Sequence, residues 1–449
     1  MSDVRLWLQG GLVMTGRLLR LLVLGCGLAW AALAGAEVIT VASPFPKELL
    51  MAYKRAVEAR YPGLRVQYVH FPATNAVSFL HDRAPGTRPD VFWGSAPDTF
   101  LSLRRNGLLE PLGDLGEKSI PERIGRLQVN DPDGYYKGQA LSGYGIMWNT
   151  RYLAARGITP PRHWRDLARP EYFGHVVMST PSRSGTNHLM VEAILQGEGW
   201  QAGWAQILRI AGNCGMIADR SSGVPNSVTS GRYGAGMVVD FLGLSARYSG
   251  LPVDFTYARP SAVSVANIAL VRGARNPEGG KRFIEFTLSA AGQEVLLRPD
   301  IGRLPVLPAV YESPQLPRNY PRVKEVVERS ATDYDPDLSE GRYRIVGAIF
   351  DQLVTFRHDD LVAVSRLLHS AEKLLARRAD PKAEDLIQEA RTLAFRVPLD
   401  EQAVQAASKG DARAEIARIA ALEAELGRQA EANYAKARHL AEQALARLR

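Results

Sequence analysis

The chain has 449 residues, 46% hydrophobic and 23% charged, with a formal net charge of +8. That length exceeds what one hydrophobic core serves, and the composition excludes both a disordered chain and an integral membrane protein. The positive balance is modest and dispersed, which argues against nucleic acid as a partner and suits small acidic ligands.

Arg17 and Arg20 precede the apolar run Leu21–Ala32, which closes on Ala34-Gly35-Ala36 before Glu37. A basic segment, a short apolar core and a small-x-small site predict a secretory signal peptide over 1–36, cleaved after Ala36. The run is short for a membrane span. Cys26 lies mid-way through it, so lipidation there is not expected. The mature chain carries a net charge of +6 and a single cysteine, Cys214, so no intramolecular disulfide can form. Asn213-Cys214-Gly215 offers the thiol no base, and apolar Met216-Ile217 follow, which points to buried packing.

Val38–Ala42 reads as a β-branched strand, Lys47–Arg60 as an amphipathic helix, and Leu64–Val69 and Asp90–Trp93 as further strands. Strand alternating with helix predicts a parallel α/β sheet, whose ligands sit beyond the carboxyl ends of the strands. Ser43 and Ser95 fall at such ends, where a plain turn or helix cap is the ordinary alternative. Tyr135-Tyr136, potential phenolate ligands, read better as a polar loop. Leu141–Asn149 predicts an apolar strand passing from one lobe to another. A short strand at His175–Met178 follows.

Met178–Met190 (M-S-T-P-S-R-S-G-T-N-H-L-M) is a loop of hydroxyl residues opening into a helix that runs to Gln196. The first N–H groups of a helix have no internal partner and carry partial positive charge, so an anion is their natural guest. Ser182, Ser184 and Thr186 can donate hydroxyl hydrogen bonds, and Arg183 can clamp a phosphate or carboxylate. An ordinary helix cap needs the same residue types. His188 and Glu192, four apart, read as a helix-surface pair rather than metal ligands, since no third ligand is evident.

Gly199–Gly212 predicts another helix. Ile217–Gly223 is a second strand-to-loop junction, holding Arg220 and Ser221, and Asp240 ends the strand Gly236–Val239. Ser261–Arg272 is a β-rich segment that could cross back to the first lobe, and Asn276–Leu296 is a helix pair. From about Arg342 the apolar period is helical throughout and glycines are few, which predicts an all-helical tail. Packing on the core and docking a partner are both open to it.

No G-x-S-x-G elbow, H-E-x-x-H pair or phosphate loop is present; Gly280-Lys281 is followed by Arg282. An exported α/β chain with anion-binding loops and no catalytic set points to binding, not catalysis.

The segments S-G-Y-G-I-M-W-N (142–149), S-T-P-S-R-S-G-T-N-H-L-M-V-E (179–192), G-W-Q-A-G-W (199–204), R-S-S-G-V (220–224), Ala262-Val263-Ser264 and Leu368–Glu372 carry a family resemblance. Together with the leader and the two crossing strands, the chain resembles periplasmic solute-binding proteins. The branch is that of ferric-ion and phosphorylated-compound binders, and within it the regulatory proteins of phosphoglycerate transport. The likeness is strongest over 141–310 and fades beyond Ala376. It implies the two-lobed periplasmic-binding-protein fold (type 2) with a hinge, here extended by the all-helical tail. Lobe 1 would comprise 37–140 and 262–341, lobe 2 141–261, and the extension 342–449. It implicates Ser182, Arg183, Ser184, Thr186 and Asn187 in the ligand cleft, Arg220 and Ser221 from the facing loop, and Asp240 as an acceptor for ligand hydroxyls.

The resemblance implies a periplasmic component that binds a small phosphorylated acid, uses no cofactor, and signals to a membrane sensor kinase ectodomain; an ABC permease is the alternative partner. A carrier of ferric iron or another anion is the alternative. It requires Tyr, His or carboxylate ligands converging in the cleft.

Overall fold

The computed structural model describes residues 36–449 apart from 71–75, 96, 330–333 and 408–411. All but the last residue of the expected signal peptide lies outside that range. Among the described residues no helix is long and apolar enough to cross a membrane.

Strand β1 (Glu37–Ser43) leads into α1 (Lys47–Arg60), which turns Leu49, Leu50, Tyr53 and Val57 onto one buried face at helical spacing. β2 (Leu64–His70) returns parallel to β1, pairing from Glu37↔Leu64 to Ser43↔His70. β3 (Val91–Gly94) lies parallel on the other side of β1 and feeds α2 (Pro97–Arg105).

Next comes β4 (Tyr136–Asn149), 14 residues long and buried from Gly138 to Trp148. It starts earlier than the predicted Leu141. Tyr136, expected in a polar loop, opens the strand instead, with its ring centroid 5.4 Å from that of Phe100. Burial on both faces is why the segment reads as a continuous apolar run and not an alternating one.

The second lobe follows with β5 (Val176–Ser179), α3 (Gly185–Glu198), α4 (Trp200–Gly212), β6 (Cys214–Ala218), β7 (Ala235–Val239), α5 (Asp240–Tyr248) and β8 (Val253–Tyr257). β9 (Val263–Val271) then crosses back to the first lobe, followed by α6 (Pro277–Leu288) and the short β10 (Leu304–Pro305). Neighbouring strands run in the order β2-β1-β3-β9-β4-β7-β5-β6. The first half of β4 pairs antiparallel with β9, and its second half is flanked by β7 and β8. One strand therefore belongs to both sheets. At that junction a Cβ on Gly145 would sit 1.9 Å from the Thr256 carbonyl oxygen, so only glycine lets β8 close on β4.

The tail begins at Pro336, earlier than the predicted Arg342. It comprises α7 (Pro336–Phe350), α8 (His358–Leu375), α9 (Pro381–Phe395) and α10 (Ala412–Leu448). Ile345, Ile349, Leu361, Leu368, Ile387, Tyr434 and Leu448 join Trp204, Ile207 and Met178 in one continuous core. The tail is thus built into lobe 2. Cys214 lies in that same core, and burial raises its thiol pKa well above the usual cysteine range.

α7 touches both lobes. Arg105 of α2 pairs with Asp337 at 2.6 Å and with Glu340. Across the molecule, the Arg342 guanidinium meets Glu192 of α3 through Nε–Oε1 (2.8 Å) and Nη2–Oε2 (2.7 Å), and also reaches Glu401. His188 and Glu192, expected on a helix surface, are buried at 1% and 0% exposure. The tail covers them, which local periodicity could not show. Breaking a buried, bidentate pair strands the other charge, at about 3–5 kcal/mol. Arg342→Ala is expected to lower unfolding free energy by about that much in denaturant titrations, and Arg342→Met with Glu192→Leu to recover most of it.

Candidate functional site

The carboxyl ends of β5 and β6 lie side by side, because the strands are parallel neighbours ending at Ser179↔Ala218. Beyond β5 a single 3₁₀ turn, Pro181–Arg183, delivers Ser184 as the N-cap of α3; its Oγ accepts the Asn187 N–H at 3.3 Å. Asn187 in turn donates through Nδ2 to Ser179 Oγ, which locks the loop. Ser184 and Thr186 are half-buried. Arg183 leans to the neighbouring loop, 2.6 Å from Asp219, in a mostly exposed pair that adds little stability. Arg220 in that loop is exposed and Ser221 half-buried.

Ser182 faces elsewhere. Its hydroxyl is 2.9 Å from Thr180 Oγ1, which donates to Asp351 at 2.8 Å. A Cβ on Gly347 of α7 would stand 3.2 Å from Ser182 Cα, so the tail lies directly over this side of the loop.

The other expected residues sit apart from that loop. Ser43 is fully buried, and its Oγ accepts the Phe45 N–H at 3.2 Å, an ordinary turn bond. Ser95 is half-buried after β3. Asp240 is fully buried at the junction of the lobes. Oδ2 accepts from the Gly143 N–H (2.8 Å) and the Tyr257 hydroxyl (3.2 Å), and Oδ1 from the Phe241 N–H (2.7 Å). Expected to read ligand hydroxyls, it accepts from donors of the chain itself and ties β4 to β8. Burial lifts its pKa to about 7.

The residue that sequence reading missed is Arg303. It follows Gly302, which has φ of +62° and packs so tightly on α5 that a Cβ would lie 2.9 Å from the Ser245 nitrogen. Arg303 is 1% exposed. Its guanidinium carbon lies 4.1 Å from the ring centroid of Phe45, from lobe 1, and 3.7 Å from that of Phe241, from lobe 2. Among the described residues neither Nη1 nor Nη2 has a hydrogen-bond partner. β10 pairs Leu304↔Leu141, and the same register carried on sets Arg303 across from Ser142, whose buried hydroxyl is also unpartnered. Two residues along the strand, the Tyr144 hydroxyl meets Ser264 Oγ at 2.7 Å. Burial lowers the Arg303 pKa to about 10, while nearby Asp240 favours the charged form. A guanidinium sandwiched by rings, with its N–H groups unspent, suits a carboxylate or phosphate.

A second polar chain crosses the same seam. Ser339 of α7 donates to Asp98 Oδ2 at 3.0 Å, so His188 Nε2, 3.0 Å away, is the donor to Ser339 Oγ. Burial lowers the His188 pKa to about 4 and raises that of Asp98 to about 7.

The model of the bacterial extracellular solute-binding protein family matches residues 87–325. The phosphoglycerate transport regulatory protein PgtC of Salmonella typhimurium is 34% identical over 329 residues, 72% of this chain and 76% of that one. The chain belongs to this family. This solute-binding protein, not an enzyme, shares its fold with solved relatives of low identity. The periplasmic binding protein AfuA of Actinobacillus pleuropneumoniae, with fructose-6-phosphate bound, aligns at 16% identity with a TM-score of 0.58. That alignment covers 73% of this chain and 96% of AfuA. Iron-bound HitA of Pseudomonas aeruginosa aligns at 15% identity with a TM-score of 0.56, covering 69% and 98%. The family match stops at residue 325, short of the tail helices.

In the folded protein burial pushes the Asp98 carboxyl pKa up to about 7, whereas unfolded it releases its proton near the ordinary aspartate value of 3.8. The folded state then binds more protons between those pH values, so stability falls as pH rises through that window. Asp98→Asn is expected to flatten this part of a melting-temperature profile and to be the more stable protein at pH 8.

Proposed function

We propose that the protein binds a small phosphorylated organic acid of the phosphoglycerate type in the periplasm. The lobes close on the ligand at their shared seam, and the closed form is read by a membrane sensor kinase that regulates uptake. The observation that carries this reading is Arg303, a buried cation with unpaired donors between a ring from each lobe. Desolvating a guanidinium without hydrogen-bond partners is costly, and an oxyanion in its plane would offset that cost. Ser142 stands beside it as a further donor. At the edge of lobe 2, the α3 N-terminus with Ser184 and Thr186, flanked by Arg183 and Arg220, offers positive potential to a second anionic group.

Closure is a rotation of the lobes about β4, the strand common to both sheets, with Asp240 holding Gly143 and Tyr257 in place. The relative named as a regulator of phosphoglycerate transport supports the ligand class and the signalling role. The tail supports a signalling surface, since it lies outside the family match and contacts both lobes through α7.

A thermal-shift series on the mature protein tests this, with 3-phosphoglycerate, sugar phosphates, inorganic phosphate and ferric salts in parallel. A phosphorylated acid at about a hundred times its Kd is expected to add about 2.7 kcal/mol. No stabilisation by any phosphorylated compound overturns the reading, and stabilisation by ferric iron alone favours the metal carrier. Arg303→Met is expected to weaken phosphoglycerate binding at least about a hundredfold, as loss of a buried charge-assisted contact does. The same change should leave the unliganded protein as stable or about 1–3 kcal/mol more so, because an unpaired buried charge is gone. Wild-type affinity in Arg303→Met removes this residue from the site.

A further inference from the structure

A second cationic site lies far along the chain from Arg303, where lobe 2 meets the tail. A cavity of about 490 Å³ opens between α4, the 3₁₀ turn Trp164–Ala168, and the tail helices α8 and α9. Four arginines line it, Arg165, Arg169, Arg209 and Arg391, against two carboxylates, Glu198 and Glu372. Arg169 is held by Asp166 at 2.7 Å and Arg391 by Glu372 at 3.1 Å. Arg165 and Arg209 have no ion pair or side-chain hydrogen bond among the described residues.

The walls also carry unspent hydrogen-bonding groups. Gln206 Nε2 and Ser365 Oγ are both buried without a partner among the described residues, the hydroxyl lying against Gly212 of α4, where a Cβ would be 2.0 Å from it. Burial lowers the Arg209 pKa and the Arg391 charge adds to that, while Glu372 opposes it; the Arg209 guanidinium carbon also stands 5.6 Å from the Phe395 ring centroid. Like charges gathered in a partly desolvated recess, with neutral donors beside them, are stabilised by an anion placed among them.

We propose that this cavity is a second anion-binding site, for a small oxyanion bearing phosphate or carboxylate groups, which fastens the tail to lobe 2. Arg209 contributes from α4, Ser365 from α8, Arg391 from α9 and Arg165 from the preceding turn. Half of these residues lie beyond residue 325, where the family match ends, so the site belongs to chains that carry the tail. Bound anion bridges α4 to α8 and α9, and ties tail position to the concentration of that anion.

The experiment uses the mature protein carrying Arg303→Met, in which anion binding at the seam is expected to be weakened, titrated calorimetrically with inorganic phosphate, sulfate and citrate. One saturable anion per chain is expected, with slower hydrogen exchange across residues 361–395 when it binds. Arg209→Gln in the same background is expected to weaken it at least tenfold, Arg165→Gln to weaken it less, and Arg209→Lys to retain part of the affinity. Thermal melts without anion establish that each variant folds. Absence of saturable binding by all three anions overturns the proposal, as does unchanged affinity in Arg209→Gln. Neither result touches the seam, which is read independently by phosphoglycerate binding to the protein with Arg303 intact.

Discussion

Everything in this molecule is arranged around one strand that two sheets share. Tyr136–Asn149 is buried from Gly138 on, pairs with β9 in its first half, and is enclosed by β7 and β8 in its second. A strand filled on both sides has no freedom of register, since a slip of one residue would exchange every side chain between the two faces. Glycines at 143 and 145 let neighbouring strands approach where the sheets change over. Asp240 fixes that place by accepting bonds from β4 and β8. Phe45, Phe241 and Arg303 come from segments that end or turn at the change-over, and Ser142 from the strand that passes through it.

The tail makes lobe 2 the heavier partner. Its helices complete the core around Trp204 and Met178. Its first helix then reaches back to α2 of the other lobe through Arg105, Asp337 and Glu340. Relative motion of the lobes therefore strains or re-forms polar contacts of α7. The buried group is polar where an apolar one would pack as well: Arg342 with Glu192, and Ser339 between Asp98 and His188. Directional pairs of this kind fix which way a helix lies, whereas apolar packing tolerates sliding.

Local pattern carried much of the fold. The β-branched run before Lys47, the helical spacing of Leu49, Leu50, Tyr53 and Val57, and the hydroxyl residue ahead of α3 all report on bonds closed within a few residues. So most of the predicted elements stand within a residue or two of where periodicity sets them, the starts of β4 and of the tail apart. The exceptions are instructive. Tyr136 joined β4 because its ring found Phe100 on α2, a contact between distant segments. His188 and Glu192 have the spacing of a surface pair, and only the arrival of α7 buries them.

By itself the sequence determined the alternation of strand and helix, the two crossing strands, and a capped helix start at Ser184. These follow from short-range periodicity and from backbone groups that must be satisfied locally. The tertiary structure alone decided that Asp240 serves the junction, that Ser182 lies under the tail, and that Arg303 is a buried cation with its donors free. Those are consequences of desolvation. A charge is costly or useful according to what surrounds it in space, and no spacing along the chain records that the rings of Phe45 and Phe241 both stand against one guanidinium.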